Sequence, residues 1–152
     1  MSDRPLGISV LCIVFGLFAF SFLINGFDLM DEAGTVPANQ PLSVEVFLAV
    51  FPVFLLGMGF LSLYTAFALW DGSKRGFFAS LALLGLWIVE EVVLMLWGFV
   101  GPPVVQRYSS GLAPNLVRIL IGAALIYYLV VVGQEYVFGG RSPSRKRWRS
   151  EY

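Results

Sequence analysis

Residues 6–27, 44–70, 77–100 and 112–138 are four apolar runs, each long enough as an α-helix to cross a hydrocarbon core about 30 Å thick. In lipid only a helix or a closed barrel satisfies its own backbone, so apolar runs of this length commit the chain to membrane-spanning helices. With 58% hydrophobic residues, 13% charged residues and a mean hydropathy of +0.80, too little polar surface exists to coat a water-soluble domain. The expected fold is all-α: a polytopic four-helix transmembrane bundle over residues 1–140, followed by a basic tail at 141–152. The first run exceeds the roughly 7–15 apolar residues of a signal-peptide core and has no small-x-small cleavage site, so it reads as a permanent span.

Three turn-forming segments separate the runs: DLMDEAGTVPANQPLS, DGSKRG and GPPVVQRYSSG. Orientation follows from the short basic flanks, which stay on the cytoplasmic side. Arg4, Lys74, Arg75, Arg141, Arg145, Lys146, Arg147 and Arg149 fall on one side and Arg107 alone on the other. Both termini are therefore expected in the cytoplasm, with the acidic first loop (Asp28, Asp31, Glu32) and the third loop outside. The formal net charge of zero conceals this asymmetry. The tail, with five basic residues around Trp148, is attracted to anionic headgroups at about 1 kcal/mol per Lys or Arg. It is too short, and lacks a folded reader, for nucleic acid.

Several chemistries are absent from the residue inventory. With no His and a single Cys, the chain offers no His-ligated haem, Cys/His zinc site, CxxC redox pair or internal disulfide. Neither GxxxxGK[ST] nor a strand-borne GxGxxG occurs. No cofactor, metal or catalytic residue is expected, and Cys12 reads as a small packing residue.

Because lipid tails solvate Leu and Phe as well as protein does, small residues and polar contacts should mark the helix seams. Ser9, Cys12, Gly16 and Ala19 recur on one face of the first span, and Gly59, Ser62 and Ala66 on one face of the second. Asn115, Arg118 and Gly122 share a face of the fourth. Pro52 is expected to kink the second span or widen a gap beside it.

The third span carries the exception, Glu90 and Glu91 within LWIVEEVVLML. A charge at mid-span costs about 2.5–3.5 kcal/mol on insertion scales, against about 0.3–0.6 returned by each Leu, Ile, Phe or Val. Successive helical residues point about 100° apart, so the two carboxyls are expected on different faces. Counting about 1.5 Å per residue from the outer ends puts Glu91 about 13 Å deep and Arg118 about 8 Å deep, a difference an arginine bridges. An Arg118–Glu91 pair is expected, with Gly122 allowing close approach, Asn115 supplying a further donor or acceptor, and Glu90 protonated or bonded to a neighbouring helix. The alternative is that Arg118 snorkels to the surface and both glutamates are neutral. Toward the cytoplasm only Ser62, Thr65, Ser80, Tyr64, Tyr127 and Tyr128 continue the polar set, a thin path for an ion.

RPLGISVLCIVFG at 4–16 and LIYYLVVVGQEYVFG at 125–139 resemble the first and last helices of small four-span membrane proteins of archaea and bacteria grouped as domains of unknown function. In that group the first helix opens with Arg-Pro-x-Gly and the last ends in Tyr-Tyr-Leu before an aromatic-Gly stop. Val-Val-Val-Gly-Gln follows Tyr-Tyr-Leu here in place of a Pro or charged residue. The resemblance implies a prokaryotic cell-membrane protein and carries no catalytic residues. The reading is a non-enzymatic accessory, scaffold or regulatory subunit that contacts lipids and either itself or other membrane subunits. The alternative is a small proton- or ion-coupled transporter or channel using the Glu/Arg cluster.

Topology is directly measurable. In a Cys12→Ser background, Gly34→Cys should label from outside, and Ser73→Cys or Ser150→Cys only from inside; external labelling at position 150 would invert the arrangement.

Overall fold

A computed structural model describes residues 6–35, 41–100 and 111–138, with side chains to residue 98 in the third helix. Four long helices follow in chain order: α1 (Leu6–Thr35), α2 (Leu42–Trp70), α3 (Lys74–Val100) and α4 (Leu112–Tyr128). The last continues through a π-helical turn, Leu129–Gly133, into the short α5, Gln134–Phe138. All four, counting Leu112–Phe138 as one span, are long and apolar enough to cross a membrane. The α1–α2 and α3–α4 connections share one end, here called distal; the α2–α3 turn lies at the other, proximal end.

Polarity in this bundle is turned inside out. Ile13, Leu17, Phe20, Phe60, Phe67, Phe78, Val89 and Leu120 face outward, while Ser62, Thr65, Ser80, Glu90, Glu91 and Asn115 are buried. A water-soluble domain does not cover itself in contiguous large apolar side chains, whereas hydrocarbon solvates them without cost. Two of the buried hydroxyls are satisfied within their own helices: Ser62 donates to the Met58 carbonyl at 2.7 Å and Ser80 to the Gly76 carbonyl at 2.7 Å.

Helix α1 runs well past the first apolar segment, carrying Asp28, Asp31 and Glu32 on helix where the sequence reads as an open loop. The cause is its buried stripe. Phe22, Gly26 and Leu29 recur every three or four residues and Ala33 packs on the same core, so the helical face keeps a partner on α2 for another two turns. The Thr35 hydroxyl closes the end by donating to the Glu32 carbonyl at 2.8 Å.

The α1–α2 seam is antiparallel and close. Leu23 packs onto Gly59, and Leu56 onto Gly26, from opposite helices. Pro52 is buried within α2, which remains one continuous helix across it. At the proximal end, the Ser73 hydroxyl caps α3 by accepting the Gly76 N–H at 3.0 Å while donating to the Ala68 carbonyl at 2.9 Å. Gly76 itself lies against the Ala68–Leu69 backbone, where any side chain would collide, so the α2–α3 hairpin is pinned.

Of the other small-residue positions, Cys12 is buried, Ser9 is half-buried, and Gly122 receives the Ile88 side chain from α3. Gly16 is the correction: nothing lies within 4 Å of where its side chain would stand, so it admits no neighbour. Helical spacing alone places a residue on a face but does not say where along the face two helices touch.

This contrast is testable. Gly59→Ala should lower stability by about 1–3 kcal/mol, because Leu23 has to move, whereas Gly16→Ala should stay within about 0.5 kcal/mol of the parent. Thermal aggregation of purified variants in one detergent measures both; equal losses would place Gly16 at a contact.

Candidate functional site

The two glutamates occupy the distal half of α3, each on the side that α3 turns toward the interior. They are only 9% and 4% exposed. Contrary to the expectation that they diverge, both line one cleft of about 490 Å³. The reason lies in the packing around α3. It is flanked by α2 on one side and α4 on the other, while α1 and α4 do not pack together along their length. The arc of α3 left between its two neighbours is wide enough to include two residues about 100° apart.

Each helix adds to the walls. From α1 come Phe18, Ser21, Phe22 and Asn25; from α2, Phe51 and Leu55. Trp87 and Leu94 join the glutamates from α3, and Arg118 comes from α4. The Phe18 and Trp87 rings meet at 4.8 Å between centroids, tilted by 54°, and this contact ties α1 to α3 beside the carboxylates. Glu90 and Phe51 also border a second, wholly apolar groove of about 260 Å³ between α2 and α3.

The Arg118–Glu91 pair anticipated from helix register is present: Arg118 Nη1 donates to Glu91 Oε1 at 3.2 Å. Its two members differ in setting, the arginine side chain being 44% exposed and the glutamate 5%. Arg118 thus stands at the mouth of the cleft and Glu91 on its floor. One turn along α4, Gly122 receives Ile88 and Trp87, holding α4 against α3 at the depth the pair requires.

Two expectations are corrected. Asn115 does not complete the pair: it is 1% exposed, and both its amide oxygen and nitrogen lack a hydrogen-bond partner. It sits in the seam of α4, three residues before Arg118, and not on the cleft wall. Glu90 is not bonded to a neighbouring helix through Oε2, which like Glu91 Oε2 is buried without a partner. Buried polar atoms are nearly always paired in folded proteins, so three side chains with unpartnered polar atoms within one half of the bundle are unusual.

Ser21 and Asn25 are the cleft residues that the sequence reading missed. Asn25 Nδ2 donates to Ser21 Oγ at 3.3 Å, one turn away on α1. Their signal is visible in SFLIN: a Ser and an Asn at i and i+4 within an apolar run form a polar spot on one helical face. Proximal to the cleft, the buried Ser62 and Ser80 hydroxyls are tied to their own helices, Tyr64 and Tyr127 face outward, and Tyr128 is half-buried against Gly7. The Thr65 hydroxyl, also on the proximal side, is buried without a partner, and none of these groups lines the cleft. No group of three or more His, Cys, Asp or Glu is placed to hold a metal ion among the described residues. The lipid-headgroup set Arg141, Arg145, Lys146, Arg147, Trp148 and Arg149 lies outside the described residues, as does Arg4.

Four helices with the length and apolarity of membrane spans, folded around inward-facing polar groups, indicate a multi-pass membrane protein of four-helix-bundle type. No family model, curated protein or solved structure matches the chain.

The ion pair makes a coupling prediction. Because Arg118 is half-exposed, Arg118→Leu should cost about 1–3 kcal/mol, less than the 3–5 typical of a fully buried broken pair. Adding Glu91→Leu should recover most of that loss, and adding Glu90→Leu should recover less. Thermal aggregation at fixed pH in one detergent gives both cycles; additive effects of Arg118 and Glu91 would mean the contact carries no energy.

Proposed function

We propose that the chain is a non-enzymatic integral protein of the cell membrane, with both termini cytoplasmic, acting as an accessory, scaffold or regulatory subunit of a membrane assembly. The observation that carries this reading is a cleft walled by all four helices whose lining, among the described residues, ends near the middle of the spans. Such a site receives something; it does not pass it across. The inventory of side chains agrees, since two carboxylates and a guanidinium hold no activated nucleophile and the chain has no His to activate one. Association is supported also by α4, the least buried of the four spans. A lateral partner, a second copy of this chain or another membrane subunit, fits a helix covered on one side only.

A second reading has an observation of its own. Two carboxylates on one cavity wall are the equipment of a small proton- or ion-coupled transporter, provided the proximal half opens in another conformation.

Purification from mild detergent separates these roles. The first expects a stoichiometric co-purifying membrane subunit or a defined oligomer, and a lone monomer would remove it. The second expects flux in reconstituted vesicles that Glu90→Gln or Glu91→Gln abolishes with expression and oligomeric state unchanged; flux that survives both substitutions would remove the transporter.

A further inference from the structure

The cleft has a chemistry of its own, independent of the assembly the protein joins. We propose that it is a binding site for a hydrophobic organic cation, an ammonium group bearing aromatic or aliphatic substituents, with Glu90 as its counter-ion.

Charge selects the sign. Two carboxylates and one guanidinium line the cleft, and the guanidinium is already engaged with Glu91 Oε1. Glu90 makes no ion pair among the described residues, and its Oε2 is buried with no donor in a residue only 9% exposed. An anion would face this carboxylate, and the only cationic wall residue already shares its charge with Glu91. A cation supplies what Glu90 Oε2 lacks.

The walls select an organic cation over a bare ion. Calcium takes about 6–8 oxygen ligands, and no metal-holding group of acidic side chains exists among the described residues. Phe18, Phe22, Phe51 and Trp87 instead surround the glutamates with rings, and aromatic faces attract ammonium and quaternary ammonium groups while shielding them from water. A volume of about 490 Å³ suits a molecule of drug-like size. The apolar groove of about 260 Å³ that shares Glu90 and Phe51 provides adjoining surface for a substituent without polar atoms.

Access is lateral. Ser21, Asn25 and Arg118 are the exposed members of the lining and mark the mouth where α1 and α4 part. A ligand with apolar substituents concentrates at a bilayer interface, the region from which a mouth in the distal half of the helices is reached.

Isothermal titration of the full chain in a mild detergent tests the assignment with three probes of similar shape: benzyltrimethylammonium, its uncharged carbon isostere neopentylbenzene, and benzylsulfonate. The cation should bind saturably with about one site per chain, and the neutral and anionic probes at least about tenfold more weakly. Glu90→Gln should weaken the cation at least about tenfold without changing the neutral probe, Glu90→Asp should retain the preference for charge, and Tyr64→Phe, at the other end of the bundle, should change nothing. Equal binding of the cation and its neutral isostere would overturn the proposal, as would an unaltered cation affinity in a folded Glu90→Gln protein or no binding by the parent. Co-purification of a partner tests the accessory role separately, so either reading can fail while the other stands.

Discussion

Nothing is gained in hydrocarbon by moving a leucine from lipid onto a neighbouring leucine, so close fit and polar contact have to hold these helices together. The structure uses the two at different places. Along α1 and α2 the fit dominates: Leu23 on Gly59 and Leu56 on Gly26 bring the backbones near, and the buried stripes of both helices run almost their full length. Between α3 and α4 the contact is narrower, with Ile88 on Gly122 and the Arg118–Glu91 bond close beside it. Where neither device operates, between α1 and α4 in the distal half, the helices part and the cleft results.

That division explains how a span can tolerate two adjacent carboxyl groups. Glu91 shares one oxygen with a guanidinium that keeps part of its own surface exposed, so the arginine is not fully desolvated for the sake of the pair. Glu90 has no such arrangement. A single Arg contact would be an adequate account of a purely structural acidic residue; a second carboxylate beside it, turned into the same cleft and unpartnered, is a cost without structural return. Sites that bind are where folded chains keep such costs, because the missing partner arrives with the ligand.

Much of this was legible in the residues. The spans follow from length and apolarity, and the Arg118–Glu91 contact follows from counting depth along two antiparallel helices, since rise per residue is nearly constant. Facing is harder to read. Whether Glu90 and Glu91 diverge depends on the width of the gap beside α3, a property of how α1 and α4 sit, and no local spacing encodes it. Gly16 and Gly59 look alike in sequence yet only one meets a neighbour. Asp28, Asp31 and Glu32 suggested a loop by their charge, while Leu29 and Ala33 beneath them kept the helix going. Ser21 and Asn25 line the same cleft from α1, but uncharged polar residues cost little in an apolar run and so carry a weaker signal than a glutamate.

The cleft is finally traceable to the proximal end of the fourth span. Its buried positions are Asn115, Gly122, Leu129 and Gly133. Steps of seven residues in a straight helix drift by only about 20° and a step of four by about 40° the other way, so all four keep to one face. Gly133, the last residue of the π-helical turn Leu129–Gly133, is buried in the seam beside Phe77 of α3. From there Phe138 reaches Phe77, with centroids 5.6 Å apart, and lies 5.2 Å from the Lys74 ammonium. Tyr128 meanwhile sits over Gly7 of α1. The span is thus held to both α1 and α3 near its proximal end, and to α3 alone at Gly122 and Arg118. A helix fixed in that manner can diverge from α1 only distally, which puts the opening on the half of the bundle where Glu90 and Glu91 stand.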